Sequence, residues 1–181
     1  MSIPTNLTAG TWTLDASHSE AAWTVRHAGI SKVRGTFGEL AATVTVTEND
    51  ATVDATIQSA SISSGDANRD GHVKGEDFFD VEKYPTLTFT STSIEGAGED
   101  FKLNGNLTIK GISVPVTFET EFGGVAVDPF GNTRAGISAE TTISRKQFGL
   151  TWNAALEAGG VLLSDKVKIN LELSFIAPAA N

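Results

Sequence analysis

The sequence predicts an all-β protein, an antiparallel barrel of about eight strands with short helical segments capping its mouth. Two observations carry the prediction. Apolar residues recur at every second position through most of the chain, the spacing of a half-buried strand. Turn residues punctuate these runs at short intervals, which joins neighbouring strands antiparallel. A long meander with one apolar and one polar face closes most readily into a barrel, because closure removes exposed edges.

The elements follow in order. Trp12 and Leu14 share one face of the first run, and Trp23, Val25 and His27 share one face of the second. Val44 and Val46 come next, and TENDA (47–51) turns the chain into Val53, Ala55 and Ile57. Residues 59–84 break the alternation with Gly65, Gly71 and Gly75 and end at Pro85, so they read as one or two helical turns crossing a barrel mouth. Leu87 and Phe89 resume it, followed by EGAGED (95–100), then Leu103, Leu107 and Ile109. KGIS (110–113) leads to Val114, Val116 and Phe118, and DPFGN (128–132) leads to Ile137, Ala139 and Ile143. Residues 148–163, FGLTWNAALEAGGVLL, form a second cap that carries Trp152 and Asn153. The last strand is the clearest: Val167, Ile169, Leu171, Leu173 and Phe175 face one way, with Lys166, Lys168, Asn170, Glu172 and Ser174 on the other. Thr dominates many outer positions, as suits a β-branched residue on a solvated pleat.

Composition bounds the function. A chain of 181 residues forms one domain, with residues 1–10 expected as a loose N-terminal segment. Its formal charge of −9 disfavours nucleic acid and anionic membrane surfaces as partners. With no Cys there is no disulfide, thiolate nucleophile or Cys-based zinc site. The start, MSIPTNLTAGTW, has no basic flank and no apolar run, and no apolar stretch is long enough to span a bilayer. A cytoplasmic protein without stable membrane insertion is therefore expected. Dimerisation through a strand or cap is compatible with the pattern.

Residues 66–77, DANRDGHVKGED, match the opening of an EF-hand calcium loop, with Asp77 at the twelfth position. Their context argues otherwise. An EF-hand needs a helix on each side and a bidentate Glu at position twelve. Here the preceding TVDATIQSASISSG alternates like a strand, and Pro85 stops any helix that follows. A polar turn whose Asp and Asn side chains cap backbone N–H groups is the better reading.

The stretch NRDGHVKGEDFFDVEKYPTLTF (68–89) closely resembles the signature of the YceI family. The resemblance extends through LDASHSEAAWTVRHAGISKVRGTFGEL (14–40), LTIKGISVPVTFE (107–119) and TRAGISAETTISRKQFGLTWN (133–153). It implies a lipocalin-like barrel whose apolar bore holds a polyisoprenoid, and hence a carrier or sequestering protein rather than an enzyme, with no cofactor. Quinones and other long-chain lipids are alternative guests. Trp23, Val25, Phe37, Leu87, Phe89, Leu107, Val116, Phe118, Ile137 and Leu173 are the residues expected to face the bore. Periodicity alone reads them as a solid core; the resemblance reads them as the lining of a binding site.

Polar candidates are fewer. His27 shares parity with Trp23 and is expected inward, as a head-group ligand or as a core His satisfied by a neighbour. Arg26 and Arg34 flank the first hairpin and could meet a pyrophosphate at the mouth, or stand as plain surface charges. Trp152 and Asn153 are expected to close the entrance. The rival reading is a metal-dependent or acid–base enzyme using His18, His27 and nearby carboxylates. No nucleophile elbow, phosphate loop, dinucleotide fingerprint or zincin motif accompanies them.

Overall fold

The computed structural model describes residues 7–96 and 98–179. Residues 1–6, most of the segment expected to be loose, lie outside the described residues, as does residue 97 of the EGAGED turn. From Leu7 onward the segment is engaged. Thr8 accepts a 3.0 Å hydrogen bond from the Trp12 indole at its carbonyl, and the first strand starts at Gly10.

Two long strands are each broken in the middle. β1 (Gly10–Leu14) and β2 (Glu20–His27) are halves of one, and β3 (Ser31–Phe37) and β4 (Leu40–Val46) are halves of the other. β1 pairs with β4, and β2 pairs with β3. β5 (Ala51–Gln58), β7 (Thr86–Glu95), β8 (Asp100–Ile109), β9 (Ile112–Val127), β10 (Thr133–Ser144) and β11 (Leu163–Ile176) continue the meander. β6 (Ile62–Ser63) is a two-residue addition to β3. β11 closes the sheet by pairing with both β1 and β2. With each broken pair counted once and β6 set aside, the 11-stranded sheet is an eight-stranded antiparallel barrel.

Antiparallel connection sorts the loops onto two ends. The cap end carries residues 28–30, the crossing segment 59–85, residues 110–111 and the second cap at 145–162. The far end carries the turns at 47–50 and 128–132 and the connection from β7 to β8. Buried side chains form two clusters accordingly. Phe78, Phe148 and Leu150 plug the cap end, while Trp12, Phe122 and Phe175 fill the far end.

The calcium-like stretch is a helix. α1 spans Ala67–Lys74, and Asp66 is its N-cap, accepting from the Arg69 N–H at 2.9 Å. Asp70 accepts from the backbone N–H and hydroxyl of Ser64, at 2.8 and 2.6 Å. A helix through positions that a calcium loop needs as a tight turn scatters the would-be ligands around its axis.

The second cap is held by a residue that periodicity does not single out. Arg145 is buried, and its guanidinium donates to the carbonyls of Ser164 and Trp152, both at 2.9 Å, and to that of Leu150. Burial lowers its pKa. Lys presents a point charge instead of a planar fork, so Arg145→Lys leaves carbonyls unpaired. It is expected to cost about 2–3 kcal/mol in urea unfolding, the scale of buried groups left without partners. An unchanged midpoint would show that water serves these carbonyls equally well.

The break between β1 and β2 is pinned from β10, one strand beyond β11. Asp15 caps a one-turn 3-10 helix at Ala16–His18, accepting from Ser17 N–H, Ser17 Oγ and His18 Nδ1. Arg134 on β10 reaches Asp15 at 2.8 Å through Nη1 and Asp128 at 2.6 Å through Nε. Hydrogen bonds from Ser17, then Arg134 and His18, hold the Asp15 carboxyl well below its ordinary range. Arg134, followed by the Asn132 N–H, holds Asp128 down at about 2. Groups depressed in the folded state stabilise it above the unfolded value of about 3.9, and that contribution is lost as pH falls through the folded values. Arg134→Gln is therefore expected to lower the melting temperature at pH 7, with the difference from wild type shrinking between about pH 4 and pH 2. A constant difference across that window would mean that Arg134 acts through packing alone.

Candidate ligand cavity

The interior between the two clusters is not filled. It holds a cavity of about 150 Å³. All strands except the two-residue β6 contribute to the wall or its ends. The reason for the void lies in residue size. Ala21, Ala42, Ala51, Ala55 and Ala139 occupy lining positions that larger side chains would fill.

Two glycines keep large rings against the wall. Gly35 pairs with Trp23, and a Cβ there would collide with the indole and with the Ser63 carbonyl. Gly105 on β8 pairs with Ser91 and lies beneath the Phe89 ring, which would meet any side chain at that position. Phe89 in turn makes an edge-on contact with Phe118, centroids 5.3 Å apart. Each ring lies over a bare stretch of strand.

The residues expected in the bore divide into two groups. Trp23, Phe37, Leu87, Phe89, Leu107, Phe118, Ile137 and Leu173 all line the cavity. Val116 is half-buried and packs against the cap-end cluster, but does not line it. Val25 and His27 end β2 at the cap-end rim, opposite Val33 and Ser31, and lie outside the lining as well. Arg34 needs a correction. It pairs with Thr24, one residue out of phase with Trp23 and Gly35, so it is exposed on the outer face. Trp152 packs edge-on against His72 and beside Phe78, with centroids 4.8 and 5.4 Å away, as part of the cap rather than the wall. Asn153 is occupied by structure: its amide binds both the N–H and the carbonyl of Leu163.

Sequence reasoning passed over much of the wall, including Val44, Val53, Ile57, Leu103, Ile169 and Leu171. Their parity was visible in the alternating runs. What no single residue signals is which inward positions border empty space.

The cavity is almost wholly apolar. Thr120 directs its hydroxyl to the Phe118 carbonyl at 3.2 Å. Among the described residues, the Trp23 indole N–H is the buried side-chain polar atom that lacks a hydrogen-bond partner. The histidines do not converge. His18 binds Asp15 and His72 binds Asp77 at 2.9 Å, on separate elements, while His27 is at the cap-end rim. No group of three or more His, Cys, Asp or Glu is placed to hold a metal ion among the described residues. No described helix is long and apolar enough to cross a membrane.

Barrel and cavity together define a lipocalin-like protein with an apolar interior. Residues 12–175 match the YceI-like domain model, and the chain belongs to the YceI family. A UPF0312 protein of Staphylococcus aureus (strain USA300) is 36% identical over 168 residues, covering 91% of this chain and 96% of the relative. The YceI protein of Campylobacter jejuni superposes with a TM-score of 0.73 at 31% identity, over 85% of this chain and 90% of that one. A polyisoprenoid binding domain from Saccharophagus degradans, implicated in plant cell wall breakdown, shares the fold with a TM-score of 0.72 at 16% identity, over 92% and 98%.

Because Gly35 seats the Trp23 ring, Gly35→Ala is expected to destabilise the fold by about 1–3 kcal/mol, the cost of overpacking. It should also alter the tryptophan emission of the folded state. Urea unfolding followed by fluorescence checks both, and an unchanged spectrum and midpoint would separate the ring from its glycine.

Proposed function

We propose that this protein binds a long-chain amphiphile, an isoprenoid or a lipid of similar shape, and carries or sequesters it. The observation that carries the reading is an unfilled, apolar cavity running between two packed ends. Burying a guest there transfers its chain out of water at roughly 0.8 kcal/mol per CH₂, so affinity needs no polar contact. Trp23, Phe37, Leu87, Phe89, Leu107, Phe118 and Ile137 supply the wall for the tail. Trp23 supplies one donor, and a guest oxygen beside it would satisfy an N–H that is otherwise buried without a partner. Membership of the YceI family and the likeness to a polyisoprenoid binding domain support this class of guest. Quinones, which join an isoprenoid tail to a ring bearing oxygens, fall within it.

Blocking the bore tests the proposal. Ala42→Phe and Ala139→Phe place rings where the wall is now small. In a solid core such changes cost about 1–3 kcal/mol. Here they are expected to cost less, while abolishing uptake of an environment-sensitive apolar dye and displacement of that dye by an isoprenoid alcohol. Native mass spectrometry of the gently purified wild type should show a co-purified lipid that both variants lack. Undiminished dye uptake in both variants, or marked destabilisation with no guest found, would overturn the reading.

A further inference from the structure

We infer that the cap end is a docking surface for an anionic lipid bilayer, led by the tip of the β2–β3 hairpin. The first observation is an exposed apolar tip. Ile30 is 87% exposed at the hairpin turn, and Val161 on the adjoining loop is 52% exposed. The two loops are tied by the Ala28 N–H, which donates to the Leu162 carbonyl at 2.6 Å. Ala28 has a φ of 53° and Gly29 a φ of 71°, so a left-handed turn, unusual for a residue with a β-carbon, presents Ile30 to solvent.

The second observation is charge. Residues 21–38 contain Arg26, Lys32 and Arg34 and no carboxylate. Arg26 pairs with Lys32 in register and Arg34 is one outward position further on, so all three share the outer face. None of them forms an ion pair among the described residues. Glu157 and Asp165 flank the Val161 loop on that side of the tip, and Asp165 is engaged by the Ser144 hydroxyl and the Lys146 N–H. An apolar tip flanked on one face by unpaired cations is a pattern that lies on anionic headgroups.

The third observation removes the objection posed by the net charge of −9. Of the 13 Lys and Arg residues, only Lys102 and Arg134 lie on the far half of the barrel. Both are paired there, with Glu119 and with Asp15 and Asp128. The cap half has its own carboxylates, among them Asp66, Asp70, Glu76, Asp77, Asp80 and Glu82 on the crossing segment, and these roughly balance its cations, so the negative excess belongs to the far half. β10 alone has 12 residues. At about 3.3 Å per residue and a tilt near 40°, the two ends are roughly 30 Å apart. The screening length at physiological salt is about 8 Å, so a bilayer at the cap end barely feels the far end. The far end has its own apolar tip, with Phe130 89% exposed and Val127 69% exposed, but it stands among carboxylates and so is the wrong end for anionic lipid.

The competing account is that Lys32 and Arg34 merely blunt the edge of β3, which has a strand partner on its far side only at Thr36 and Phe37. Vesicle flotation separates the two. The probes are phosphatidylcholine vesicles with and without phosphatidylglycerol. The protein is expected to float with the anionic vesicles and to be released by high salt. Reversing the three charges (Arg26→Glu, Lys32→Glu, Arg34→Glu) should weaken that binding by at least about tenfold, since each cation near the surface contributes a several-fold factor. Ile30→Ser should weaken it by a smaller factor, and Phe130→Ser at the far end should leave it unchanged. Absence of wild-type flotation, no effect of the charge reversal in a variant that folds normally, or an equal loss with Phe130→Ser would each overturn the inference. Dye uptake by the cavity should persist in all these variants, so failure here is distinguishable from failure of the cavity reading.

Discussion

A closed barrel of eight strands encloses more space than small inward side chains can fill, and this constraint organises the molecule. Packing has been completed only at the two ends. Trp12, Phe122 and Phe175 do so on one side, and Phe78, Phe148 and Leu150 on the other. Between them, alanines at inward positions leave a gap that the rigid backbone cannot collapse around, because the strands close into one hydrogen-bonded circle through the pairing of β1 and β2 with β11. A hollow of this kind forfeits dispersion contacts and hydrophobic burial. The apolar lining means that a guest, rather than water, is what restores them.

Keeping the hollow open places demands on residues that never touch it. β1–β2 and β3–β4 must bend at their midpoints while still completing the circle. Asp15 does this for the first by capping a short 3-10 turn, and Arg134 ties that cap to β10. Gly38, whose N–H reaches the Ser61 carbonyl at 3.1 Å, serves the second. Arg145 performs the corresponding task at the cap end by gathering carbonyls from the second cap and the start of β11. Arginines doing structural work inside or between strands do not stand out in a sequence, since their spacing resembles that of surface charge.

The barrel itself was legible because alternation is a local property: Val167 to Phe175 can be read on paper and faces inward in space. Membership of the wall was less so. Val116 has inward parity and yet misses the cavity, whereas Ala42 and Ala55 line it, because depth along the bore and the size of opposing residues decide the matter. Arg34 was placed by its nearness to a turn. Its true orientation follows from the pairing of Trp23 with Gly35, which fixes the parity of β3 only once the register is known. The calcium-like loop shows the limit of spacing from the other side, and context rather than pattern decides it. Its residue types fit, but Asp66 caps a helix and Asp70 ties down Ser64, two structural uses for acidic side chains that a spacing pattern cannot separate from ligation.

Net charge was the least transferable quantity of all, because a partner meets a surface and not a composition. Across the far half, register places Glu20 beside Glu172, Ser138 beside both Glu172 and Glu121, and Glu121 beside Asp100. Like charges facing each other across strands are unfavourable by up to about 1 kcal/mol per pair. Ser138 offsets some of this by donating to Glu172 at 2.6 Å. The row thus runs against local stability, and the cations that could have neutralised it are on the other half of the barrel. Segregation of this kind turns a modest negative charge into an axial polarity. Such a molecule approaches any charged surface in a preferred orientation, cap end toward negative and far end toward positive.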